Sequence, residues 1–188
     1  GKVLWSVDAH AKFGGRNITW GIADNPLIYD GKVICQPGGP DASLVALDAK
    51  TGETVWKSTG LSERSAYCSP ALLTVNGKRQ VVTFLESDVV GVDAQDGKPL
   101  WKYPYQNKYA VHPNTPVLCG KDRLFLSSGY GYGAEVVSVA GSEVKRVWFD
   151  KSSDNHFQGV AFYKGRIFSS GGGRFSCFDP ESGKVVYS

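Results

Sequence analysis

Three histidines, four cysteines and a set of loop carboxylates (Asp24, Asp41, Glu86, Asp88 and Asp154) are the side chains here that could ligate a metal or move a proton. A zinc centre draws its ligands from short, recurring spacings, because one turn must present two of them at once. Cys35, Cys68, Cys119 and Cys177 stand far apart, with no C-x-x-C and no adjacent pair. Cys35, Cys119 and Cys177 lie in or beside apolar strands, where a small buried thiol is the simpler reading. His112 and His156 could be grouped with Glu86 or Asp154, but no ligand spacing supports a metal there, and no metal site is expected. His10 falls early in a long loop and reads as solvated. Ser128-Gly129-Tyr130-Gly131-Tyr132-Gly133 has the glycine content of a phosphate loop without the Lys and helix that make one work, and reads as a loop displaying tyrosines. No nucleophile elbow, H-E-x-x-H or dinucleotide fingerprint occurs.

The elements that must position these residues are announced by a repeated phrase. Ala46-Leu47-Asp48-Ala49-Lys50-Thr51-Gly52-Glu53-Thr54-Val55-Trp56 is its clearest copy. Gly91 to Trp101 is a second, and Cys177 to Tyr187 a third with Tyr in place of Trp. Val139 to Trp148 keeps the aromatic and loses the Asp, and Gly1 to Trp5 reads as the tail of another copy. In each, an apolar strand enters an Asp-led turn, Gly supplies a positive φ, and an aromatic closes the next strand. The closing residues Trp5, Trp56, Trp101, Trp148 and Tyr187 recur at about 40–50 residues, the length of a four-stranded propeller blade.

This phrase resembles the tryptophan-docking repeat of the pyrroloquinoline-quinone-like β-propellers. That family includes quinoprotein alcohol dehydrogenases, polyvinyl-alcohol-dehydrogenase-like proteins and cofactor-free propellers such as the outer-membrane assembly lipoprotein. The resemblance covers the whole chain and is specific for fold rather than activity. It implies an all-β propeller of four-stranded antiparallel blades, with Trp5, Trp56, Trp101, Trp148 and Tyr187 as docking residues. Blades are expected at about 26–58, 70–103, 115–149 and 159–188, preceded by a lone outer strand at 2–7, all in a single propeller segment of 1–188. About four blades are thus present, and the resemblance implies a larger ring of eight. A free-standing four-blade ring, or two half rings dimerising, is the alternative. The resemblance also implies a periplasmic or secreted location. The chain opens inside a repeat without an initiating methionine, so its natural N-terminus is expected upstream.

Composition fits many short strands joined by Gly-rich turns, with 23 glycines and no long apolar run. A net charge of +3 argues against a nucleic-acid footprint, and no stretch is apolar enough for a transmembrane helix.

Antiparallel alternation puts the A–B and C–D turns on one side and the B–C loops and blade crossings on the other. The second set is longer and chemically varied, and function concentrates in such loops. Residues just before each strand A are expected to point to the central channel: Asn17 and Trp20; Arg64, Tyr67 and Ser69; His112 and Asn114; Asn155, His156 and Gln158. Glu86 and Tyr130 join them from B–C loops. These groups read equally as the lining of a polar ligand site or as braces for loop backbone.

Two functions follow. One is a non-catalytic module binding a protein, glycan or small polar ligand on the varied face. The other, by resemblance, is a quinone-dependent alcohol dehydrogenase, needing pyrroloquinoline quinone, a Ca²⁺ held by carboxylate and amide oxygens, and an Asp base. Carboxylates and amides (Asn17, Asn114, Asn155) are available in the loops, but none sits in a motif matching the family's calcium or base residues. The vicinal Cys-Cys of those enzymes is missing, so binding is the favoured reading and no cofactor is assigned.

Overall fold

A computed structural model describes all residues from Gly1 to Ser188. Sixteen strands form four separate sheets of four, each a meander in chain order. The first blade holds β1 (Leu27–Tyr29), β2 (Lys32–Cys35), β3 (Val45–Asp48) and β4 (Thr54–Lys57). The second holds β5 (Ala71–Val75), β6 (Lys78–Phe84), β7 (Asp88–Asp93) and β8 (Pro99–Pro104). The third holds β9 (Val117–Leu118), β10 (Arg123–Ser128), β11 (Gly133–Ala140) and β12 (Glu143–Asp150). The fourth holds β13 (Ala161–Tyr163), β14 (Arg166–Gly171), β15 (Arg174–Phe178) and β16 (Val185–Tyr187).

The repeated phrase builds the same turn three times. Asp48 Oδ1 accepts from the amides of Lys50 (2.8 Å) and Thr51 (2.9 Å), while Gly52 N donates to Asp48 O at 2.9 Å. Asp93 with Gln95 and Gly97, and Asp179 with Glu181, Ser182 and Gly183, repeat the pattern. Gly52, Gly97 and Gly183 all take φ near +70°, where a Cβ is penalised. In the third blade the Asp is gone and β11 turns directly into β12 around Gly141 and Ser142. Each outer pair also carries a bulge beside its aromatic, at Ala46/Leu47, Gly91/Val92, Val136/Val137 and Cys177/Phe178. A bulge bends the strand and adds twist.

Strand alternation sends neighbouring residues to opposite blade interfaces. Val81 packs toward the first blade with Ile34, Leu44, Ala46 and Trp56, and Val82 toward the third with Leu124, Leu126 and Val137. Phe125, Ala134 and Val136 meet Ile167 and Phe178 of the fourth blade. Exposed lysines on the outer strands, Lys57, Lys102 and Lys145, guard edges that would otherwise pair with other chains. The outer flank of the fourth blade leaves Tyr163, Phe175 and Tyr187 more than half exposed.

Residues 2–7 depart from expectation: they pair with no strand. Trp5 still lies against Gly52 and donates its indole N–H to Ala49 O at 3.1 Å. Side-chain burial there outweighs edge pairing, since Trp5, Val7 and Phe13 cover Ala42, Val45 and Leu47. Phe13 ends a short helix, α1 (Ala9–Phe13), inside the crossing expected as a long loop; Asp8 caps it through Ala11 N and Gly14 closes it in the left-handed region. No helix is long and apolar enough to cross a membrane.

Candidate functional site on the loop face

Crossings before all four blades, with the B–C loop of the third, converge on one open cavity of about 570 Å³. Trp20, Ala23 and Asn25 come from the first crossing, Tyr67 and Ser69 from the second, Val111 and Pro113 from the third, and Phe157 from the fourth; Tyr130 comes from the B–C loop. Trp20, Tyr130 and Phe157 are 64%, 42% and 70% exposed. Large aromatics gathered around one cavity mark a contact surface, since burying each would be worth about 2 kcal/mol or more.

The lining is tied across crossings. Tyr67 OH accepts from Trp20 N at 3.3 Å, and the two rings lie 5.9 Å apart. Ser69 Oγ accepts from Asn25 N at 2.9 Å. Beside the cavity, Tyr67 also borders a smaller cleft with Ile18, Thr19, Arg64, Ser65, Glu86, Tyr109 and Ala110. There Arg64 grips Glu86 bidentately, one bond being Nε to Oε2 at 2.9 Å. The guanidinium holds the Glu86 carboxyl below the ordinary carboxylate range.

Backbone strain gathers at the same place. Seven non-glycine residues have positive φ. Asp30, Asn76, Tyr130 and Lys164 each precede a positive-φ Gly in a tight turn, and Asp41 lies in a loop closed by the Gly39–Ala42 bridge. The remaining two, Tyr67 (φ 73°) and Ala110 (φ 54°), both border the cleft beside the cavity. A residue with a Cβ held there costs roughly 1–2 kcal/mol, and such strain tends to cluster at functional sites.

Of the residues expected to face the channel, the structure brings Trp20, Tyr67, Ser69 and Tyr130 to the cavity and Arg64 and Glu86 to the cleft. His112, Asn114 and Asn155 are instead buried as braces. His112 Nδ1 lies 3.3 Å from Ser128 Oγ, and its ring stacks on Phe84 at 5.2 Å. Burial pushes its pKa down to about 4. Asn114 Nδ2 donates to Asn155 O at 2.8 Å, and Asn155 Nδ2 to Ser169 Oγ at 3.0 Å, tying the third crossing to the fourth. His156 is half-buried against Gly129, with Tyr130 and Phe157 ring centroids at 4.3 Å and 3.7 Å. Asn17 and Gln158 serve local backbone, accepting from Ile18 N and from His156 N and Phe157 N. Phe157, Tyr109 and Asn25 belong to the site region but were not singled out from sequence; aromatic residues in the varied crossings were the available signal.

The residues present do not fit the quinone and calcium of the alcohol dehydrogenases. That quinone is a planar tricarboxylate, and the cavity lining contains no Lys or Arg to meet it. Arg64 in the adjoining cleft is already matched by Glu86. No cluster of three acidic, His or Cys side chains is assembled for an ion.

The family model described as outer membrane protein assembly factor BamB matches residues 1–188. The protein of that name from Burkholderia pseudomallei (strain K96243) is 26% identical over 147 residues, spanning 74% of this chain and 36% of the relative. Among solved structures, BamB from Moraxella catarrhalis superposes with a TM-score of 0.57 at 19% identity, covering 89% of this chain and 52% of the other. Quinohemoprotein alcohol dehydrogenase from Comamonas testosteroni gives a TM-score of 0.61 at 16% identity, covering 89% and 34%. The chain therefore spans a third to a half of the length of these relatives. Likeness to an enzyme and to an assembly factor alike carries the propeller fold, while the whole-chain match carries the family: this chain belongs to the BamB family of outer membrane protein assembly factors.

Proposed function

We propose that this chain is a non-catalytic propeller sector of the cell envelope that binds a protein partner through its loop face. The observation that carries this reading is the convergence of exposed aromatics on one face: Trp20, Tyr130 and Phe157 around the cavity and Tyr109 at the cleft. Aromatic and Arg side chains are the usual anchors of protein interfaces, and Arg64 stands beside them. The opposite face offers only short turns: the Asp-Gly, Asn-Gly and Lys-Gly hairpins, residues 120–122, the Asp-led turns and the Gly141–Ser142 turn. Family membership supports an outer-membrane or periplasmic setting. The indole contacts with Gly52, Gly97 and Gly183 serve in this reading as docking joints that keep the blades, and hence the loops, in fixed relation.

Photo-crosslinkers placed at Tyr109 and Tyr130, and at Asn76 and Lys164 on the turn face, test the assignment in intact envelopes. Discrete protein adducts are expected from the loop face alone. Equal labelling from both faces, or none from Tyr109 and Tyr130, overturns it. A dye-linked alcohol oxidation assay with added quinone and Ca²⁺ tests the non-catalytic part, and turnover would remove it.

A further inference from the structure

We propose that the loop-face cavity is a binding site for a neutral saccharide. This rests on the loop face being the binding face; the cavity aromatics serve both ligands, and Tyr109 in the adjoining cleft lies outside the saccharide site.

Charge narrows the ligand first. Among the nine residues lining the cavity none is acidic or basic, so nothing there compensates a charged ligand, whose desolvation would go unrepaid. The lining is not simply greasy either. Asn25, Ser69 and Tyr67 bring an amide and two hydroxyls to the same walls as Trp20, Tyr130 and Phe157. Ser69 Oγ and Tyr67 OH each accept from a backbone amide, at 2.9 Å and 3.3 Å, which leaves both hydroxyl protons free to donate. Asn25 Oδ1 is free to accept, since only its amide nitrogens are engaged.

A pyranose ring has complementary surfaces: C–H groups on its faces, which stack on aromatic rings, and hydroxyls around its rim, which need donors and acceptors. A purely apolar side chain would leave three polar groups unpaired on binding, at a cost for each. A volume of about 570 Å³ lies within the range of small-molecule sites. The walls are preformed by the ties between crossings and by two tyrosines locked at positive φ, which lowers the ordering cost of capture.

The test is isothermal titration of the whole chain with cellotriose, maltotriose and triacetylchitotriose, with trigalacturonate as an anionic counterpart and acetyl-Leu-Leu-amide as an apolar one. At least one neutral trisaccharide is expected to bind saturably, with a dissociation constant on the order of 1 mM or below. Trp20→Ala and Phe157→Ala each weaken it about tenfold or more, while Lys50→Ala on the turn face leaves it unchanged. Both aromatics are exposed, and unchanged melting temperatures would show that the variants fold. No saturation by any neutral sugar overturns the proposal. So does tighter binding of trigalacturonate or of acetyl-Leu-Leu-amide, or indifference to both aromatic substitutions. Adducts from Tyr109 report on the protein-binding reading without any sugar, so the two fail separately.

Discussion

Trp148 lies against Gly183 so closely that a Cβ on that glycine would come within 2.6 Å of the indole, whose N–H donates to Pro180 O at 2.9 Å. Trp5 meets Gly52 in the same way, and its acceptor, Ala49 O, is the residue equivalent to Pro180. Trp56 meets Gly97 without the hydrogen bond. Trp101 breaks the series. The third blade's short turn offers no socket, and Trp101 settles over Gly91 of its own sheet, donating to Gln80 Oε1 at 2.7 Å. The interface it leaves is filled differently, with Glu135 fully buried between Arg146 and the hydroxyl of Tyr103.

Gly97→Ala and Gly183→Ala are therefore expected to destabilise by roughly 2–4 kcal/mol, combining the positive-φ penalty with overpacking against an indole. Gly77→Ala has the same backbone sign (φ 79°) but open space around it, so only about 1 kcal/mol is expected. Thermal melts of the three variants separate the two contributions. Equal shifts for all three would show that the indole contact contributes nothing.

Trp101→Phe and Trp56→Phe test the exception. Both indoles are buried, but only Trp101 has a partner for its N–H. Removing that donor strands Gln80 Oε1, costing about 1–3 kcal/mol beyond lost packing, whereas the Trp56 change removes an unpaired group. Chemical denaturation should rank Trp101→Phe as the more damaging by about that margin.

The part of this architecture legible in the sequence is the part set locally. Asp48, Asp93 and Asp179 bond amides two or three residues ahead, so their turns follow from the phrase itself. Alternation likewise assigns Val81 and Val82 to opposite interfaces. The loop residues were harder. Asn114 and Asn155 stand in the same kind of crossing as Trp20, yet turn inward because Ser127 and Ser169, distant in sequence, wait there as partners. The positive φ of Tyr67 has no sequence signature, since it is neither Gly nor Asn and no Gly follows it. The helix at Ala9–Phe13 is a single short turn system fixed by Asp8 and Gly14, too brief to show periodicity.

His112 makes stability depend on pH. Its folded pKa is pushed by burial from 6.5 to about 4, so the unfolded chain binds more protons between those values. The stability it contributes is complete above about pH 6.5 and is lost as pH falls through 4. Between pH 7 and pH 5 the loss is about 2 kcal/mol. Glu63 acts oppositely: burial, then the neighbouring Asp88, raises its pKa to about 7, so its contribution is present below the unfolded value of 4.5 and lost as pH rises through 7. Urea titrations at pH 5 and pH 7 are expected to show a flatter low-pH loss in His112→Phe than in the parent. An identical pH response would refute a buried neutral imidazole.

Three of the four thiols, Cys35, Cys68 and Cys119, are expected to be inert in the folded chain. Burial pushes Cys35 and Cys68 up to about 11 and Cys119 to about 12, so at pH 8 the nucleophilic thiolate is scarce at all three. Mass spectrometry after iodoacetamide at pH 8 should find these three unmodified in buffer and fully modified in urea. Fast native labelling of Cys68 or Cys119, both buried, would mean that the blades open readily.

Ala110 offers the cleanest probe of strain at the site, because it carries only a methyl group at φ 54°. Elsewhere Ala→Gly lowers stability by roughly 0.5–1 kcal/mol through unfolded-state entropy. At Ala110 the relief of a left-handed Cβ offsets that loss, and Ala110→Gly is expected to be neutral or to stabilise by up to about 1 kcal/mol. If the strain exists to hold the Pro104–Asn114 crossing in a binding shape, the same change should weaken partner capture at Tyr109 as it loosens the loop. Melting temperature and crosslinking yield measured together decide the matter. A variant that loses stability as an ordinary Ala→Gly does would show that the backbone at Ala110 is relaxed, and that the positive φ shared by Tyr67 and Ala110 at the cleft has no energetic content.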